Sequence, residues 1–147
     1  MPSNTKPSSR EESRSAPRTA AAYLREAGAN DPHRVDCADH VCRIAALLDE
    51  EGKSPWVGMV RDRQGDFHGA LIPRSFRGVT WTKHYVCCAG EEAWDPLAGS
   101  ALSLADYTTV VFGRPLAVER YLSEDETADL LHRGALRDAF RPRRAGD

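Results

Sequence analysis

Apolar and polar positions divide the chain into a polar start, a helical stretch and a run of strand-like segments. Met1 to Arg18 holds Ser, Pro, Arg and Glu with almost nothing apolar. Such a segment cannot bury enough surface to offset the entropy of ordering it, so it is expected to be a disordered tail. Thr19 is then placed to cap a short helix, Ala20–Ala27, that Gly28 ends. Asp36 is the expected N-cap of a second helix running from Cys37 to about Glu51, with Asp39 at the capping-box position and Gly52 as its stop. Cys37, Val41, Ile44 and Leu48 recur at helical spacing and form one apolar stripe. Cys42 lies roughly 140° round the helix from Cys37, at about 100° of rotation per residue.

After Pro55 the pattern changes from helical to strands. Trp56–Arg61, a polar turn at Asp62–Asp66 and Phe67–Ile72 read as one hairpin. Val79–Cys88, the tight turn Ala89-Gly90-Glu91 and Glu92–Leu97 read as a second. Ser103–Tyr107 is expected to form a single helical turn, the β-branched Thr108–Phe112 an extended run, and Leu116–Tyr121 a last strand or extended segment. Ser123 and Glu126 form a capping box that opens a final helix, Glu124–Phe140, weakened by Gly134. No internal repeat is present. Helices followed by antiparallel strands predict an α+β fold, with one domain over 19–140 and a basic tail over 141–147.

Composition narrows the function classes. A chain of 147 residues fits one domain with one sizeable core. With 20 basic against 22 acidic residues it carries no field that would draw it to nucleic acid or an anionic membrane, so neither is an expected partner. Arg137, Arg141, Arg143 and Arg144 gather at the end, where a basic tail is expected to be solvated. No apolar run approaches membrane-spanning length and no signal-peptide core follows the start, so the expected compartment is the cytoplasm, or export or injection without a Sec signal. The tail composition also fits the unstructured secretion signal of a type III effector. The four cysteines, Cys37, Cys42, Cys87 and Cys88, are poorly spaced for a disulfide framework and point to packing, metal or chemistry.

The chemistry concentrates in three places. In the second hairpin His84 and Asp95 fall roughly opposite one another, within reach of a side-chain hydrogen bond. A carboxylate that orients a histidine is two thirds of a catalytic triad. Cys37, at a helix start where the macrodipole and free amides favour a thiolate, is the last third. Cys42 lies on the wrong face, His40 shares the helix of Cys37, and no carboxylate orients His68, so all three rank below. Two other readings stay open. Cys37, His40, His84 and Cys87 have the residue types and close pairs of a structural zinc site. The domain could equally be a binding module with an inert cysteine.

A cysteine heading a helix that continues into Ala45-Ala46-Leu47-Leu48, then His84-Tyr85-Val86, Trp94-Asp95-Pro96-Leu97 and Asp106-Tyr107, resembles the papain-like and transglutaminase-like cysteine hydrolase superfamily over about residues 35–112. Its compact bacterial toxin, effector, glutamine deamidase and leader-peptidase members are the most similar in size. The resemblance implies N-terminal helices carrying the cysteine, packed on an antiparallel sheet. It also implies Cys37 as nucleophile, His84 as general base and then acid, Asp95 as orienter of His84, a protein or peptide substrate, and no cofactor. An oxyanion hole would combine the Cys37 amide with an upstream polar side chain. Where many relatives carry Gln this chain offers Asn30 or His33. Protease, deamidase and transglutaminase share the acyl-enzyme step, and the sequence leaves all three open.

Overall fold

The computed structural model describes residues 17–29, 36–64, 67–69, 71–75 and 81–140. Its centre is a five-stranded antiparallel sheet. The strands are β1 (Pro55–Val60), β4 (His84–Ala89), β5 (Glu92–Trp94), β6 (Ala101–Ser103) and β7 (Val118–Leu122), in the spatial order β6-β5-β4-β1-β7. β2 (Asp62–Gln64) and β3 (Phe67–Gly69) form a separate two-stranded ribbon. The helices are α1 (Ala20–Ala29), α2 (Cys37–Glu50), α3 (Leu104–Phe112) and α4 (Glu124–His132), followed by a 3-10 helix at Leu136–Phe140.

Strand burial follows from this layering. Successive side chains on a strand point to opposite faces. On β1 and β4 both faces are covered, so every residue of β1 and all but the last of β4 are buried. One core layer joins Val57, Met59, Tyr85, Cys87 and Trp94 to Leu24 of α1 and Val41, Ile44 and Leu48 of α2. The opposite layer joins Trp56, Val60, Val86, Cys88 and Ala93 to Tyr107, Val111 and Phe112 of α3. The two-faced burial explains why these strands read as continuous apolar runs rather than as alternation.

Several expectations hold. Asp36 caps α2, its Oδ1 accepting the Asp39 amide at 2.9 Å. Ser123 and Glu126 form a reciprocal capping box at the start of α4. The β4–β5 hairpin has the expected turn, with Gly90 at φ 58° and its carbonyl accepting the Trp56 indole N–H at 3.1 Å.

Others are corrected. β1 does not pair with the segment after Asp62; it pairs with β4 and β7, while Asp62–Gln64 turns back on Phe67–Gly69. A local apolar run marks a strand but not its partners, and the chain-distant partners cover β1 on both edges. Thr108–Phe112 is helical, because Ser103 caps a helix through the Asp106 amide and Gly113, at φ 82°, ends it. Tertiary packing of Tyr107, Val111 and Phe112 overrides the β preference of the intervening residues. The final helix stops at His132, Gly134 takes φ 68°, and the chain continues as the 3-10 helix. Arg137 is not a bare solvated charge: its guanidinium donates to Asp39 at 2.9 Å and to Asp36 at 3.1 Å, tying the 3-10 helix to the start of α2. The predicted tails, apart from Pro17 and Arg18, lie outside the described residues.

Gly28 does not end α1 but lies inside it. It serves close approach: a Cβ there would sit 2.9 Å from the Pro96 carbonyl oxygen and 3.2 Å from the Gly99 Cα, both backbone atoms of the turn after Asp95. At the other end of the helix the Ala20 amide donates to Glu51 Oε2 at 2.8 Å, so α1 is pinned at both ends. Gly→Ala inside a helix ordinarily stabilises by about 0.5–1 kcal/mol. Here overpacking against rigid backbone costs about 1–3 kcal/mol and outweighs it. Gly28→Ala is therefore expected to lower the urea midpoint with an unchanged m-value, and a raised midpoint would contradict the close approach.

Candidate active site

The site forms where the start of α2 meets the start of β4 and the end of β5. The register Cys87↔Trp94 carries the hairpin to the point at which β5 ends, and Asp95 turns inward one residue later. His84 Nε2 donates to Asp95 Oδ2 at 2.8 Å, with the two side chains each only 4% exposed. The pairing read from the hairpin pattern is therefore present. Two further donors hold the carboxylate: the Leu97 amide reaches Oδ1 at 2.9 Å, and the Tyr107 hydroxyl donates to Oδ2. A buried carboxylate with this many donors is fixed in orientation and stays ionised.

Cys37 opens α2 and is half-buried. Its amide is among the helix-start N–H groups that have no partner within the helix. With Nε2 held by Asp95, Nδ1 is the ring nitrogen of His84 left for the thiol. It is buried and has no hydrogen-bond partner among the described residues. Above the ring, Trp81 stacks on His84 with centroids 4.9 Å apart and planes 8° from parallel, and Phe112 meets it edge-on at 5.7 Å. An indole face against an imidazolium is a favourable cation–π arrangement.

The electrostatics separate Cys37 from the other thiols. Burial pushes the Cys37 thiol up, but the neighbouring His84 and the Tyr85 amide outweigh it and hold the thiol below the ordinary cysteine range. Burial alone would push His84 down, yet Asp95 and then Cys37 raise it to about 10. Burial pushes Asp95 up, but the charge and hydrogen bond of His84, with the bonds from Tyr107 and Leu97, keep it below the usual carboxylate value. Burial and the neighbouring carboxylate drive the Tyr107 phenol well up, so it remains a donor. Burial raises Cys42 to about 11 and Cys88 to about 12, and raises Cys87 well above the ordinary value. Together these shifts favour a thiolate–imidazolium pair over the neutral thiol and imidazole.

The remaining sequence candidates fall elsewhere. His40 is buried and its Nδ1 pairs with the Tyr23 hydroxyl at 2.7 Å. Cys42 packs at the edge of the α2 core, off the site. His68 lies in β3. Asn30 and His33, the oxyanion candidates, lie outside the described residues. The zinc set is not assembled: Cys37, His40, His84 and Cys87 line one cavity, but His84 is committed to Asp95 and His40 to Tyr23. Among the described residues no three His, Cys, Asp or Glu side chains group as metal ligands.

Sequence reasoning missed Trp81 and the role of Tyr107. Nothing local marks Trp81. Tyr107 carried a signal in the Ser103-x-x-Asp106 cap and Gly113, which together bracket a helix that puts Tyr107 and Val111 on one face.

Two outcomes follow. At pH 7 iodoacetamide should modify Cys37 at least about 100-fold faster than Cys42, because only the thiolate reacts. The ratio should narrow as pH climbs toward 11, where Cys42 ionises, and it should collapse in His84→Ala. Peptide mass spectrometry reads this, and uniform slow labelling of all four cysteines would remove the activated thiol. The second concerns stability. The folded value of His84 lies above its ordinary 6.5, so its contribution is complete below about 6.5 and disappears as pH rises through about 10. The lowered Asp95 contributes above its ordinary 3.8 and loses that share as pH falls below it. The deficit of His84→Ala in urea unfolding should therefore be largest near pH 5–6 and shrink toward pH 10. A deficit independent of pH would mean that the ring acts by packing alone.

No helix among the described residues is long and apolar enough to cross a membrane. Comparison with protein-family models, curated proteins and solved structures returns no match.

Proposed function

We propose that this chain is a thiol-dependent hydrolase of amides, of the papain-like type, with Cys37 as nucleophile, His84 as base and acid, and Asp95 as the orienter of His84. The observation that carries this reading is the buried His84–Asp95 bond of 2.8 Å beside a helix-start thiol whose ionisation His84 favours. A histidine paired only for packing gains nothing from a cysteine at its free nitrogen, whereas a nucleophile requires that neighbour.

The reaction proceeds in two displacements. The Cys37 thiolate attacks the amide carbonyl carbon, forming a C–S bond and a tetrahedral oxyanion. The Cys37 amide at the start of α2 is placed to donate to that oxygen. As the C–N bond breaks, the imidazolium of His84 gives its Nδ1 proton to the leaving nitrogen. Water then attacks the thioester while His84 takes its proton, the C–S bond breaks, and a carboxylic acid leaves as the thiolate–imidazolium pair returns. Asp95 stays ionised throughout and keeps the ring turned with Nδ1 toward sulfur. Tyr107 and Trp81 act on this ring indirectly, the first by holding Asp95 and the second by stacking.

The test is turnover of a mixed peptide and protein substrate set, read by mass spectrometry that separates backbone cleavage from conversion of Gln to Glu. Cys37→Ala and His84→Ala should each lose at least about 10³-fold in rate, and Asp95→Asn on the order of 10²–10⁴-fold, with far-UV circular dichroism unchanged. Cys42→Ala should retain activity. Turnover that survives Cys37→Ala would sink the assignment.

A further inference from the structure

Beside the thiol lies a cavity of about 250 Å³. Cys37 and His84 line it, with Val41, Ile44, Trp94 and Leu97 on its predominant apolar part and polar groups such as Asp36 and His40 beside them. From Cys37 to Ile44 the lining follows two turns of α2, about 10 Å at 1.5 Å per residue. Trp94 is 6% exposed, and its indole N–H is buried with no partner, one of two such side-chain atoms among the described residues. An apolar recess with one unsatisfied donor is costly to leave empty of an acceptor.

We propose, resting on the hydrolase reading above, that this cavity receives an apolar side chain of the residue supplying the scissile carbonyl, and that the Trp94 indole N–H donates to a carbonyl of the same substrate strand. The substrate class is then a peptide cut after a Leu-like residue. A glutamine side chain fits the recess less well: apolar lining predominates, the Asp36 and Asp95 carboxylates already accept other bonds, and unpaired amide donors lose their hydration without return. An aliphatic side chain loses only its contact with water.

The probes are N-acetylated chloromethyl ketones of Leu, Ala and Gln, with iodoacetamide as a reagent that has no side chain. In each ketone the Cys37 sulfur bonds the methylene carbon and chloride leaves, so the rate constant reports how the side chain is seated. Three additional buried carbons should give the Leu reagent about a 50-fold advantage over Ala, and Gln should fall near or below Ala. In Trp94→Phe the Leu-to-iodoacetamide ratio should fall about 10-fold, the value of one lost hydrogen bond. The wild-type series decides alone if that variant does not fold. Equal rates across the side chains, or a Gln reagent that matches Leu, would overturn the pocket assignment while selective iodoacetamide labelling of Cys37 would leave the hydrolase standing. Failure of every reagent to prefer Cys37 would overturn both.

Discussion

The buried bond between His84 and Asp95 sets the terms for everything around it. Taking a carboxylate out of water costs several kcal/mol, and that cost is offset only when its lone pairs are met by well-placed donors. Here three meet them, and each comes from a different part of the chain: the ring from β4, the Leu97 amide from the turn beyond β5, and the Tyr107 hydroxyl from α3. Break any one of these supports and an ionised group is left short of partners inside the core. The sheet register, the turn after Asp95 and the docking of α3 are therefore mutually required.

The same bond explains why the two faces of the sheet cooperate. Tyr107 and Phe112 arrive from the α3 face, and the thiol arrives with α2 from the other. They can address one imidazole because β5 ends at Trp94, which leaves the beginning of β4 without a paired strand on that edge. Trp81 covers the exposed side of the ring and keeps water from competing for the pair. The aromatic contacts supply a dry, shaped surround, whereas the charges and hydrogen bonds decide where protons reside.

Much of this was legible in the order of residues. The Asp36 cap, the stripe Cys37–Val41–Ile44–Leu48 and the tight turn at Gly90 act through neighbours a few positions away, and such signals survive in sequence. The features that escaped depend on distant partners. β1 takes β4 and β7 as neighbours rather than the segment that follows it, and Thr108–Phe112 adopts a helix because packing outweighs β-branching. Arg137 resembled one more charge in a basic tail until the fold carried it to the first turn of α2. The upstream oxyanion candidates, Asn30 and His33, fall outside the described residues. Spacing could nominate the candidate site residues, but not the residues that hold them still.

The tie from Arg137 to Asp36 and Asp39 has a consequence in time. Cys37 is synthesised before His84 and Asp95, and Arg137, the cation that braces its helix cap, follows all three. A chain leaving the ribosome from its N-terminus thus carries Cys37 for a time without the groups that favour its ionisation. Until His84 and Asp95 have emerged and paired, the cysteine is an ordinary thiol among unfolded segments. Chain order alone delays the proposed nucleophile until the strands and turn that hold its partners have emerged.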